Sequence, residues 1–292
     1  VIRGGFKPAD TLTITFGLLL FAVVLLFFNR IEAAASLLVL YAGMAAFQLA
    51  LVYLSRMNRF LSLTRDVLFP ILCVIIFFDS LELLVHRINP QDIDYLLIRL
   101  DYDLLGCYPT VYLERFSYPV FIDALQIAYS TYYFIPVAMG LALKARSRHK
   151  EFDKYIFVVL FCFYLSFIGY MFFPALGPRY SLQHLQTRGV DGLLVSGVIQ
   201  DTLNALEGVK RDAFPSGHTA VVLVVLYYAF RYDRRFACVI TLPVVLLIAA
   251  TVFCRYHYVV DLIGGVILAV VSVALGELYY RRWEGRDNGP AV

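Results

Sequence analysis

Ala213-Phe214-Pro215-Ser216-Gly217-His218-Thr219-Ala220 stands where a polar segment gives way to the apolar run Val221 to Phe230. Proline is tolerated at a helix start, because the first N–H groups of a helix lack a partner in any case. The pattern predicts a helix opening here, with free backbone amides and the positive end of the helix dipole at its mouth. Such an end attracts anions, and Ser216 and His218 stand on it. The apolar run that follows is one of eight long enough to span a bilayer: roughly 11–28, 33–54, 67–85, 118–143, 154–174, 214–231, 237–254 and 258–280. The fold class is all-α, a polytopic transmembrane helical bundle of about eight spans. Residues 1–66 supply two added helices, 67–280 a six-helix core and 281–292 a tail.

Composition agrees. The chain is 61% hydrophobic and 16% charged with a mean hydropathy of +0.74, whereas soluble domains are about 45–50% apolar and about 25% charged. The net charge of +3 is small and its cations are scattered among loops, which argues against a nucleic-acid partner. Cys73, Cys107, Cys162, Cys238 and Cys254 are odd in number and lack metal-ligand spacing, so they read as structural thiols.

Eight spans divide the 25 Lys and Arg unequally: 16 fall on the side of both termini and 9 on the other. The positive-inside rule makes the richer side cytoplasmic. Arg179, His218 and His257 then reach the same extracytoplasmic face, and neither histidine enters the charge count. Residues 88–117 are too polar to span. Ile93, Leu96, Leu97, Leu100, Leu104 and Leu105 recur at near-helical spacing, with Asp92, Asp94, Asp101 and Asp103 on other faces, as in a helix lying in the outer interface. Such a helix serves either as a wall of a head-group pocket or merely as a closure for the bundle. Gly189, Gly192 and Gly197 argue against one continuous helix over 181–212.

A second histidine opens the last apolar run, in Cys254-Arg255-Tyr256-His257-Tyr258-Val259-Val260-Asp261. His257 and Asp261 are four apart, hence on one helix face. A carboxylate on one imidazole nitrogen fixes the tautomer and leaves the other nitrogen able to attack; a plain helix-capping pair would show the same spacing. His218 is placed to act as a general acid. Ser216 and Gly217 are placed to take phosphate oxygens, and a turn with its cap is the plain alternative. Arg179, in Gly177-Pro178-Arg179-Tyr180, and Arg255 offer planar forks for phosphate; singly, either reads equally as an arginine snorkelling to the interface.

The order arginine, then Pro-Ser-Gly-His, then His-x-x-x-Asp resembles the three-part signature of the type-2 phosphatidic acid phosphatase superfamily, over about residues 118–280. The resemblance implies a lipid phosphatase or phosphotransferase that needs no metal and no cofactor. It implies that His257 attacks phosphorus, Asp261 orients it, His218 protonates the leaving group, and Arg179, Ser216 and Gly217 bind phosphate. The substrate is then a membrane lipid phosphate, with water, an alcohol or a hydroxyl lipid as acceptor. Three positions depart from the pattern. Phe172 stands where the family has lysine, Tyr180 where it has proline after the arginine, and Thr251 where it has arginine, while Arg255 lies two before the histidine. Gly-Pro-Arg, Arg-Tyr-His-Tyr and the acidic Asp101 to Pro109 region look more like the inositol-phosphorylceramide synthase branch.

With fewer cations than the phosphatase pattern, the site suits a singly charged phosphodiester, and the reading leans towards transfer of a phospho-head-group. Lys210 and Arg211, just before Phe214, are the candidate replacement cations. Phe172, Phe173, Tyr180, Tyr256 and Tyr258 are expected to keep water from the site. A phosphomonoester phosphatase remains the alternative within the family. A transporter is the rival from another class, and Asp79, Glu82 and Asp123, within the third and fourth spans, are the residues it requires.

Overall fold

A computed structural model describes residues 5–194, 196–206 and 208–287, and among them every regular element is helical. The longer ones, in order, are α1 (Pro8–Leu26), α2 (Ala34–Leu54), α3 (Arg59–Ile88), α4 (Asp94–Leu105), α5 (Pro119–Ser130), α6 (Ile135–Ala145), α7 (His149–Phe172), α8 (Ser196–Leu206), α9 (Gly217–Tyr232), α10 (Arg234–Phe253) and α11 (Val259–Asp287), joined by turns, loops and one-turn helices. Six of them, α1, α2, α3, α7, α10 and α11, are long and apolar enough to cross a membrane. The other two of the eight expected spans fall on shorter helices, α9 and the α5–α6 pair. The chain is an integral membrane protein.

The expected span 118–143 is not one helix. It breaks at the 3-10 turn Thr131–Tyr133. Pro136 sits at the start of α6, where its missing N–H and its ring would disrupt a continuous helix. The hydroxyls of Ser130 and Thr131 donate to the carbonyls of Ile127 and Ala128 at the same place. The tail expected from 281 begins as helix, since α11 runs to Asp287; its last five residues lie outside the described ones.

The centre of the bundle is α7, which packs on α1, α3, α6, α9 and α11. Its aromatic residues account for this. Tyr155, Tyr164 and Tyr170 are buried, and Tyr164 stacks on Phe16 of α1 at 4.3 Å. One end of the bundle collects the charges. Lys7 bridges Asp66 and Asp153 at 2.8 and 2.9 Å, Lys144 joins Asp66, Arg65 pairs with Asp10, and Arg146 pairs with Asp233. The loops that carry the charge excess therefore share one end, as the count requires. Residues 88–117, 175–194, 208–215 and 254–258 meet at the other.

The three acids within spans do not line a path. Asp123 is buried, but its carboxylate accepts from the amides of Leu193, Leu194 and Ser196 at 2.8–2.9 Å and so anchors the start of α8. Asp79 and Glu82 both lie on the exposed side of α3. Glu82 accepts from the amide of Lys210 at 3.0 Å, and Asp79 borders a lateral cavity.

Candidate active site

Three loops come together at the end away from the charge cluster, and backbone hydrogen bonds join them. The Ala213 amide donates to the Ala175 carbonyl at 3.1 Å, Arg179 to Arg255 at 3.0 Å, and Ser216 to Asp261 at 3.1 Å. Gly177 has φ +86°, and a Cβ there would lie 2.7 Å from the Tyr256 carbonyl, so only glycine lets the first loop reach the third. Gly265 does the same for α11, since a Cβ would stand 2.6 Å from the Ser216 carbonyl.

The helix expected at Pro215 begins two residues later. Ser216 is its N-cap: the hydroxyl accepts from the Thr219 amide at 3.2 Å, donates to the Thr219 hydroxyl at 3.1 Å and is fully buried. The expected phosphate ligand is thus engaged as a cap, the commonest use of serine at this position. Gly217 packs against the Tyr170 hydroxyl, where any Cβ would collide.

His257 is buried, and its Nδ1 lies 2.8 Å from the Ala213 carbonyl and 3.4 Å from Asp261 Oδ2. A carbonyl only accepts, so Nδ1 carries the proton and Nε2 carries the lone pair. The carbonyl thus lies nearer to the ring than Asp261, the residue expected to orient it. The same Asp261 oxygen accepts from the Tyr258 amide at 2.8 Å, at the start of α11. His257 Nε2 stands 3.4 Å from His218 Nδ1. With the lone pair on Nε2 of His257, the hydrogen belongs to Nδ1 of His218. On the far side His218 Nε2 meets the Tyr129 hydroxyl at 2.9 Å, which donates to a neutral imidazole and accepts from a charged one. Tyr129 is buried and stacks on Tyr256 at 4.4 Å, and Tyr132 packs on the His218 ring at 4.2 Å.

Several of the expected phosphate-binding residues have partners of their own. Arg255 is a strut: its guanidinium is 3.0 Å from Glu114 and 3.1 Å from Gln186 and bonds the Arg188 carbonyl. Glu114 in turn accepts from the amide and hydroxyl of Thr187. Burial pulls the Arg255 guanidinium below its ordinary range, and Glu114 opposes that pull. Arg211 is held by Asp92 at 2.7 Å, and Lys210 is exposed. Arg179, half-buried, is tied to the His257 loop through its backbone. Among the expected water-excluding aromatics, Phe172, Phe173 and Tyr180 are 67%, 50% and 46% exposed and face outward. Tyr129 and Tyr132 pack against the His218 ring, and Tyr256, one of the expected set, stacks on Tyr129. Tyr258 is buried and donates to Asp94 at 2.7 Å.

The interfacial helix α4 bears directly on the site. Asp94 accepts from the amides of Leu176 and Gly177, and Asp101 from those of Val259 and Val260, at 2.8–3.0 Å. The face of α4 turned to the protein thus holds the first loop and the start of α11. A cavity of about 600 Å³ opens beside His218 between α3, α6 and α7, lined almost wholly by apolar side chains. No cluster that would hold a metal ion occurs among the described residues.

No solved structure matches the chain. It is 25% identical over 215 residues to a phosphoinositol dihydroceramide synthase of Bacteroides thetaiotaomicron, covering 67% of this chain and 69% of that one. It is 26% identical over 121 residues to a PA-phosphatase related-family protein of Dictyostelium discoideum, covering 40% of this chain and 22% of that one. The family profile of the PAP2 superfamily matches residues 97–275, which contain all three site loops, and the chain belongs to that superfamily of membrane lipid phosphatases and phosphotransferases.

Proposed function

We propose that this protein transfers a phospho-head-group between lipids through a phosphohistidine on His257. One observation carries the reading: an imidazole nitrogen with its lone pair fixed by a carbonyl, 3.4 Å from a second histidine, beside an apolar cavity. His257 Nε2 attacks phosphorus, forming an N–P bond as the P–O bond to the first lipid breaks. His218 supplies the proton to the departing oxygen. It then takes the proton of the acceptor hydroxyl, whose oxygen displaces His257. Reacting atoms approach to about 3–3.5 Å before bond formation, so 3.4 Å between the rings leaves no place for phosphorus, and substrate entry must part them.

Transfer is favoured over phosphomonoester hydrolysis by the fate of the cations. A phosphomonoester is largely dianionic near neutral pH, and each further charge in a site removed from water requires a fixed partner. Arg255 and Arg211 are engaged by Glu114 and Asp92, which suits the single charge of a diester. The similarity to a phosphoinositol dihydroceramide synthase supports the same side.

The test offers purified protein phosphomonoester and phosphodiester lipids, with and without a hydroxyl lipid. We expect transferred head-group as the product, a trapped phosphoenzyme, and loss of both in His257→Ala. Inorganic phosphate released rapidly from monoesters, with no transfer to any hydroxyl lipid, would establish the phosphatase instead. An unchanged phosphoenzyme in His257→Ala would remove the nucleophile.

A further inference from the structure

Gln126 lies in an apolar stretch of α5, between Leu125 and Ile127. It is 0% exposed, and its carboxamide nitrogen has no hydrogen-bond partner among the described residues. Its oxygen accepts from the Tyr256 hydroxyl at 3.4 Å, longer than the roughly 2.5–3.0 Å of a good O–H···O bond. A buried donor left bare costs stability, and a polar side chain inside a membrane span is costly in itself. An apolar side chain of the same length would fill the place without that cost. The carboxamide therefore has a use that the bundle alone does not supply.

Its position narrows that use. Gln126 and Tyr129 are three residues apart, hence on one face of α5. The Tyr129 hydroxyl lies 2.9 Å from His218 Nε2, and Tyr256 stacks on Tyr129 at 4.4 Å while its own hydroxyl reaches Gln126. One layer of stacked rings thus joins Gln126 to the histidine pair. None of these three residues lines the apolar cavity beside His218. Tyr256 is also the residue next to His257. Parting of the histidine rings by way of the His257 loop withdraws the Tyr256 hydroxyl and presents the whole carboxamide to the entering molecule.

The chemistry of the carboxamide selects what it meets there. An anionic phosphate oxygen only accepts, and it pairs best with a charged donor. Gln126 is neutral and offers an acceptor beside two N–H donors. Two neighbouring hydroxyls match it in parallel, one donating to Oε1 and the other accepting from Nε2. In transfer through a phosphohistidine, the head group stays on phosphorus through both half-reactions. A residue that reads the head group therefore acts on donor and intermediate alike.

We propose that Gln126 determines head-group specificity: in place of the Tyr256 hydroxyl, its carboxamide binds a neighbouring pair of hydroxyls on the head group of a phosphodiester lipid. The proposal rests on the phosphotransfer reading above. A site that hydrogen-bonds a substrate hydroxyl discriminates strongly against the analogue lacking it, because its own polar groups are then left unpaired.

Two donors that differ only in the head group test it: a phosphodiester lipid bearing a polyhydroxylated cyclohexyl ring, and its analogue bearing a bare cyclohexyl ring. The unmodified protein should favour the first in kcat/KM, and Gln126→Met should lower that preference by about tenfold or more. Tyr256→Phe removes the competing hydroxyl and keeps the stacked ring, so it should leave the preference intact or raise it. If Gln126→Met does not fold, Gln126→Asn, which draws the carboxamide back by one methylene, gives the same readout. Absence of any preference in the unmodified protein, or equal loss on both donors in a folded Gln126 variant, would overturn the proposal. Phosphoenzyme formation from a nitrophenyl phosphate ester by the unmodified protein tests the histidine chemistry separately, so failure of head-group reading and failure of phosphotransfer are distinguishable.

Discussion

Tyr129 is the residue whose role the sequence conceals most completely. It lies inside an apolar run, seven residues before Pro136, and nothing in its neighbours marks it. Only the fold brings its hydroxyl to 2.9 Å from His218 Nε2. The imidazole is then held between Tyr129 and His257, so its tautomer is fixed from both sides. A hydrogen bond of this kind contributes about 0.5–1.5 kcal/mol, a factor of roughly 2 to 10 in rate where it matters in the transition state. Tyr129→Phe should therefore slow departure of an alkyl alkoxide by about that factor. A nitrophenolate, which needs no proton to leave, should be slowed much less. Turnover of matched alkyl and nitrophenyl esters measures the split; equal loss on both would make Tyr129 a packing residue only. The histidines themselves were legible, because Pro-Ser-Gly-His and His-x-x-x-Asp are local patterns. Arg255 was not, because its partners Glu114 and Gln186 lie 141 and 69 residues away, and no local signal announces a strut.

Among the elements, α4 shows how an amphipathic pattern can be read correctly and its purpose missed. The spacing of Leu96, Leu97, Leu100 and Leu104 gave the helix, yet the residues turned to the protein include the acids Asp94 and Asp101. Both accept backbone N–H groups that a loop and a helix start would otherwise leave unpaired. Burial pushes the Asp101 carboxyl above its ordinary range of about 3.8, against the pull of the Val259 and Val260 amides. An acid raised in the folded state holds its proton more tightly there than in the unfolded chain. Its ionisation therefore costs stability as pH rises through the interval above 3.8 towards the folded value, and the cost is constant beyond it. Asp101→Asn removes the charge and keeps an acceptor for only one of the two amides, so it should melt between the unmodified protein and Asp101→Ala at neutral pH, with a flatter dependence across that interval. Asp101→Ala leaves both amides bare and should cost about 1–3 kcal/mol. Thermal melting in detergent at several pH values checks this: equal melting of the Ala variant and the unmodified protein would show that the amides find other partners. The break between α5 and α6 was equally hidden. Tyr129, Tyr132 and Tyr133 continue an apolar run, and Pro136 alone signals that the helix stops.

For the whole molecule, the question is which way the bundle faces. The ion-paired end gathers Lys7, Arg65, Lys144, Arg146 and Lys154, together with Asp10, Asp66, Asp153 and Glu277. That coincidence of loops was foreseeable from charge counting alone, because sidedness alternates with each span. The partners within the cluster were not, since pairing depends on how α1, α3, α6 and α7 pack. The 16 to 9 division of Lys and Arg predicts that this end is cytoplasmic, because cationic loops resist transfer across the bilayer. On that expectation the histidines at the opposite end lie at the extracytoplasmic face. Cys107, partly exposed on the histidine side, should react with a membrane-impermeant maleimide in intact cells. A cysteine introduced by Lys150→Cys, on the exposed start of α7, should react only after the membrane is opened, read in a background where Cys107 is replaced by serine. The reverse labelling pattern would place the site on the cytoplasmic leaflet, and with it the supply of donor and acceptor lipids.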